Sequence, residues 1–117
     1  MEITRKEFLR LGTLGLVGGV GLALSSVAVA RKQQTKMVVI QNFTFKPAHI
    51  TIERGTRVMW MNKDIHPHTA TANNGRSFDS GTLLRGQKYT HTFKSAGKKP
   101  YHCEIHPQMK GSVTVKR

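Results

Sequence analysis

Cysteine is nearly missing from this sequence: Cys103 is the only one in 117 residues. A lone thiol forms no internal disulfide, no Cys-x-x-Cys redox pair and no c-type haem attachment, which needs Cys-x-x-Cys-His. Acidic residues are scarce too, six against 19 Lys and Arg, which leaves a formal net charge of +13. After residue 30 only Glu53, Asp64, Asp79 and Glu104 oppose 16 basic residues, a net charge of +12. Basic chains often bind nucleic acid, but the interleaved aromatic and basic pattern that stacks bases is missing, which argues against it. Helical periodicity is absent after residue 30, and so are internal repeats, low-complexity tracts and a second domain.

What is present is a metal-ligand spacing. Tyr101-His102-Cys103-Glu104-Ile105-His106-Pro107-Gln108-Met109 sets a thiol, an imidazole and a thioether three residues apart. Two His, one Cys and a weak axial Met describe the trigonal copper centre of electron-transfer proteins, and this segment supplies three of the four. A second His from elsewhere completes the set. His49, His66, His68 and His91 are the candidates outside the segment, and His68 is preferred. It follows Pro67, which fixes its own φ and biases His66 towards extended backbone, so the next imidazole is presented with little freedom. The metal ligands expected are therefore His68, Cys103, His106 and Met109, holding one copper ion. His66 is expected in a turn, as a secondary metal or proton site at most, and His49 and His91 on strand surfaces. Parity along the strand before Cys103 puts Tyr101 and Cys103 on one face and His102 on the other, so His102 is not a ligand.

The rest of the chain after residue 30 reads as short strands. Met37–Ile40, Phe43–Phe45, His49–Ile52, Thr56–Met61 with Val58 and Trp60 inward, Tyr89–Phe93, Lys99–Cys103 and Gly111–Lys116 carry period-two alternation and β-branched residues. Glu53-Arg54-Gly55, Asn73-Asn74-Gly75, Arg85-Gly86-Gln87 and Ser95-Ala96-Gly97 punctuate them. The fold class expected is all-β, a Greek-key β-sandwich of seven or eight strands.

Residues 1–30 have a different character. Arg5, Lys6 and Arg10 precede an uncharged, glycine-rich apolar stretch over 11–30 that ends in Ala28-Val29-Ala30. A basic start, an apolar middle and a small-x-small end form a signal peptide pattern, with cleavage expected after Ala30. Thr4-Arg5-Lys6-Glu7-Phe8-Leu9-Arg10 is similar to a twin-arginine export signal with Lys6 in place of the second Arg. An uncleaved anchor is the alternative, since twenty apolar residues just span a bilayer. The domain organisation expected is thus a signal peptide, 1–30, and one domain, 31–117, placed in the periplasm or another extracytoplasmic space. A domain of that size buries a modest fraction of its surface. A metal bound only by the folded state adds about 4 kcal/mol at a thousandfold excess over Kd.

From Phe43-Thr44-Phe45-Lys46-Pro47 through Asn62-Lys63-Asp64, Pro67-His68-Thr69, Phe78-Asp79-Ser80-Gly81 and Tyr101-His102-Cys103 to Lys110-Gly111-Ser112-Val113-Thr114-Val115, the chain resembles cupredoxins of the plastocyanin and amicyanin type. The two residues between His106 and Met109 give the short ligand loop of amicyanin. Matched position by position, His68, Cys103, His106 and Met109 fall on the family's copper ligands. The resemblance implies that His106 is the exposed edge for electrons, within an apolar rim that includes Pro67 and Pro107. It also implies Asn after the first His. Thr69 stands there instead, which leaves the side-chain brace to the loop after Cys103 open, whereas a backbone N–H to the sulfur survives. The function expected is electron transfer without substrate turnover, in a monomer. The alternative is copper storage, delivery or resistance. The basic charge favours an acidic redox protein, such as a cytochrome or an oxidoreductase, as partner, with peripheral contact to anionic membrane as a weaker option.

Overall fold

The computed structural model describes residues 33–117. The expected leader, its cleavage after Ala30 and a domain start at residue 31 therefore lie outside the described residues. Eight strands follow in order: β1 Thr35–Gln41, β2 Thr44–Lys46, β3 His49–Glu53, β4 Arg57–Asn62, β5 Thr71–Ala72, β6 Lys88–Thr92, β7 Gly97–His102 and β8 Lys110–Lys116. Alternation explains which face each one buries. In β1, Val38 and Ile40 are fully buried, and in β4 Val58, Trp60 and Asn62 are. The intervening positions look outward or lie half-covered.

The strands form two four-stranded sheets, β2-β1-β4-β6 and β3-β8-β7-β5. β1 and β4 pair parallel, as do β3 and β8, and the remaining neighbours are antiparallel. Consecutive strands repeatedly change sheet, which is the Greek-key sandwich that the sequence predicts. Between the sheets, Trp60 stacks on Phe78 and Tyr89 and meets Tyr101 edge-on at 5.3 Å between ring centroids. Full burial of an aliphatic side chain such as Val38, Ile40 or Val113 contributes about 1.5–3 kcal/mol. Tyr101 reaches across because its β8 partner is Gly111. A Cβ there would sit 2.5 Å from the phenol carbon and oxygen. Burial pushes the Tyr101 hydroxyl up to about 12.

Three local expectations need correction, and one short strand had no reading in the sequence. Phe43 is not in a strand: with Asn42 it forms the two-residue turn between β1 and β2, at φ 57° and 54°. Both residues in the left-handed region is the geometry that suits the twist of a tight hairpin. Gly97 does not end a strand but begins β7. β5 has only two residues and exists through its pairing with β7, a tertiary cause without a local signal. His91 is not a surface residue: it is half-buried against Phe78 and Phe93, and burial holds its imidazole below the usual histidine range.

Candidate metal centre

Three of the predicted ligands converge at one end of the sandwich. His68 sits on the strand-like segment after β4, locked by paired backbone hydrogen bonds: His68 N–H donates to Leu83 O (3.2 Å) and Leu83 N–H to His68 O (2.7 Å). Asn62 shapes the approach to it. Its buried side-chain amide donates to His66 O and Leu83 O, and its Oδ1 accepts from Asp64 N–H. Cys103 follows β7, and the loop after it is closed by Cys103 N–H donating to Met109 O and Met109 N–H donating to His106 O. Cys103 and His68 are wholly buried, Met109 is 3% exposed and His106 is half-buried.

Cys103 Sγ lies 3.8 Å from His68 Nδ1 and 3.8 Å from His106 Nδ1, and the two nitrogens are 3.2 Å apart. A point about 2.1 Å from all three follows from that triangle, which matches metal–nitrogen and metal–thiolate lengths of about 2.0–2.3 Å. No other group of three metal-ligating side chains converges this way among the described residues. A trigonal set of two imidazoles and one thiolate fits copper. Met109 is buried on the same loop, where its thioether would be the weak fourth donor.

The outer contacts fix these atoms. His68 Nε2 is 2.9 Å from Asp64 Oδ2, so the ring donates its Nε2 proton there and leaves Nδ1 free to ligate. Burial alone would raise the Asp64 carboxyl, but hydrogen bonds from His68, Phe43 N–H and Ile65 N–H outweigh it and hold the group down at about 2. Thr69 N–H donates to Cys103 Sγ at 3.3 Å, as expected. The side-chain brace left open at Thr69 is present: Thr69 Oγ1 accepts from Glu104 N–H at 2.8 Å. A hydroxyl oxygen does here what an amide oxygen would do.

The other histidines stay out of the cluster. His102 lies between Asn73 Oδ1 (2.6 Å) and Glu104 Oε2 (3.1 Å). His49 Nδ1 meets Ser112 Oγ at 2.8 Å. His66 is exposed in its turn and packs on Phe43. Phe43 is the residue that sequence reasoning missed: its ring also meets His68 and His106, at centroid distances of 5.3 and 4.8 Å. A bulky residue at positive φ is strained by about 1–3 kcal/mol and persists where its surroundings hold it. Here the hold is the bond from Phe43 N–H to Asp64. Around the mouth, Phe43, Ile65, Ile105, Pro67 and Pro107 are exposed. Beside it lies a cleft of about 340 Å³ lined by Phe43, Lys63, Asp64, Ile65, His66 and Arg85.

A two-sheet sandwich with a buried Cys and two converging His at one end defines a class of metal-binding β-sandwich proteins. The chain belongs to the cupredoxin-like family, whose domain model matches residues 15–115. It is 33% identical over 97 residues to amicyanin-alpha of Methylorubrum extorquens, covering 80% of this chain and 81% of that one. With amicyanin of Paracoccus versutus it shares 31% over 83 residues, 68% of this chain and 63% of that protein, so it spans under two thirds of that relative's length. Among solved structures, a purple cupredoxin from Nitrosopumilus maritimus superposes with a TM-score of 0.65 at 31% identity, over 69% of this chain and 99% of that one.

Proposed function

We propose that the protein is a blue copper electron carrier, with His68 Nδ1, His106 Nδ1 and Cys103 Sγ as strong ligands and Met109 as a weak axial one. The observation that carries this reading is the triangle of the Cys103 sulfur and two imidazole nitrogens, spaced to leave a central point at metal–ligand distance from all three. Copper bound there supplies a one-electron couple between Cu(II) and Cu(I). The chain's contribution is rigidity. His68 is pinned to Leu83 and Asp64, Cys103 stands at the end of β7, and the loop to Met109 is closed by its own backbone. Ligands that hardly move between oxidation states keep the reorganisation cost low, and Thr69 N–H at the sulfur tunes how strongly the thiolate donates. Four donors leave no open position for a substrate, in keeping with a carrier that turns nothing over.

Electrons enter and leave through half-buried His106 at the apolar mouth. An acidic redox protein, a cytochrome or an oxidoreductase, docks there as a monomer's partner, drawn by the net positive charge and by Lys63 and Arg85 beside the exposed Phe43 and Ile65. The basic, apolar, small-residue order of 1–30 supports export and cleavage after Ala30. The test is a spectroelectrochemical titration of copper-loaded protein. A carrier gives a reversible one-electron wave and exchanges electrons between copies. Copper that is released or fails to cycle assigns the site to storage, delivery or resistance.

A further inference from the structure

Phe78-Asp79-Ser80-Gly81 lies far in sequence from the ligand loop, yet its carboxylate is joined to it by a continuous chain of hydrogen bonds. The links have one possible direction. Asp79 Oδ1 is an acceptor only, so the Thr71 hydroxyl, 3.0 Å away, gives its proton there. Thr71 Oγ1 then accepts from the Thr69 hydroxyl at 2.9 Å. With its proton committed, Thr69 Oγ1 faces the ligand loop as an acceptor and receives Glu104 N–H at 2.8 Å. Thr69 and Thr71 are 4% and 2% exposed, so water does not replace these partners, whereas Asp79 stands at the exposed end. The segment is strapped alongside: Ala70 N–H donates to Ser80 Oγ, Ser80 N–H to Ala70 O and Ala72 N–H to Phe78 O. Gly81 N–H also donates to Asp79 Oδ1, which fixes the carboxylate.

We propose that Thr69, Thr71 and Asp79 form a one-way hydrogen-bond relay that positions the Cys103 thiolate from two sides. Thr69 is the junction. Its backbone N–H donates to Cys103 Sγ and its side chain holds the amide of the very next residue, Glu104. If the relay sets the rotamer of Thr69, then breaking it at Thr71 or Asp79 loosens the loop without touching any ligand. Asp79 and Thr71 are positioning residues in this scheme, since neither contacts the metal-binding atoms. A hydrogen-bond chain polarises along its length, so the carboxylate end also strengthens Thr69 Oγ1 as an acceptor.

The redox part of this inference rests on the copper reading, and the exchange part does not. Amide hydrogen exchange is therefore measured first, on metal-free full-length protein. Thr71→Val and Asp79→Ala are expected to speed exchange at Glu104 by about tenfold or more, while amides of β3 and β8 stay unchanged. Thr71→Ser and Asp79→Asn, which keep the donor and the acceptor, restore the wild-type rate. In copper-loaded protein, Thr71→Val and Asp79→Ala shift the midpoint potential downwards and displace the visible absorption, because a looser N–H···S contact leaves the thiolate a stronger donor. Unchanged Glu104 exchange in both variants overturns the relay. So does faster exchange at Glu104 and β8 together, which would mark ordinary loss of packing. Altered exchange with no visible copper band would leave the relay standing and count against the copper reading alone.

Discussion

Asp64 is the carboxylate on which the orientation of His68 rests, and its contribution to stability can be worked out. Its pKa is held at about 2 instead of 3.8, and its side chain is 9% exposed at the edge of the site. At 1.36 kcal/mol per pH unit, that depression is worth at most ~2 kcal/mol. The sign follows from a depressed carboxyl. In the unfolded chain Asp64 takes its proton near 3.8, and in the folded protein it resists until about 2, so the stabilisation is complete above about pH 4 and vanishes as pH falls through about 2. Asp64→Asn keeps an acceptor for His68 Nε2 and the backbone N–H groups but removes the charge. The assay is urea unfolding of metal-free protein in steps from about pH 7 to about pH 2. Wild type should be up to ~2 kcal/mol more stable than the variant at neutral pH, and the gap should close across that acid window. A gap that is constant with pH, or parallel pH slopes in the two proteins, would show that the Asp64 charge contributes no such stability.

Three further outcomes follow from the packing and the site. Gly111→Ala drives a Cβ to 2.5 Å from the Tyr101 phenol and 2.8 Å from Ala48 O, so thermal unfolding should show a loss of about 1–3 kcal/mol. Met109→Leu conserves volume, so unfolding of the metal-free protein should change by less than about 1.5 kcal/mol. The same substitution should move the midpoint potential of the copper form, and an unmoved potential would make Met109 a core residue only. Phe43→Asn puts a residue that tolerates positive φ in the hairpin turn, so stability should stay within about 1 kcal/mol while electron exchange with an acidic partner slows. A stability loss of several kcal/mol would mean that the Phe43 ring, rather than its strained backbone, dominates there.

The ligand loop was legible because its chemistry is local: Cys103, His106 and Met109 need only three-residue spacing to declare themselves. The sheets were legible where alternation is strong, as in Val58 and Trp60, or Tyr101 and Cys103. What escaped depends on distant partners or on unfavoured conformations. Phe43-Thr44-Phe45 has strand propensity throughout, yet Asn42 and Phe43 turn because β1 and β2 pair with Gln41 opposite Thr44. Thr69 braces a loop 35 residues away, which composition at position 69 does not reveal. Asp64 left a readable sign, since it stands four residues before His68, and carboxylate partners of ligating histidines are common. Asn62 organises the turn from a strand position where an apolar residue alternates in, and its role appears only once His66 and Leu83 are brought to it.

The proposed function turns on Cys103 and two histidines holding one redox-active copper. The most direct test is the visible absorption of full-length protein loaded with one equivalent of Cu(II), before and after ascorbate, beside Cys103→Ser. The wild type should show an intense blue band, arising from thiolate-to-copper charge transfer, that bleaches on reduction and returns on reoxidation. The band should be absent in Cys103→Ser. A colourless wild-type complex, or a spectrum indifferent to the loss of Cys103, would contradict that function.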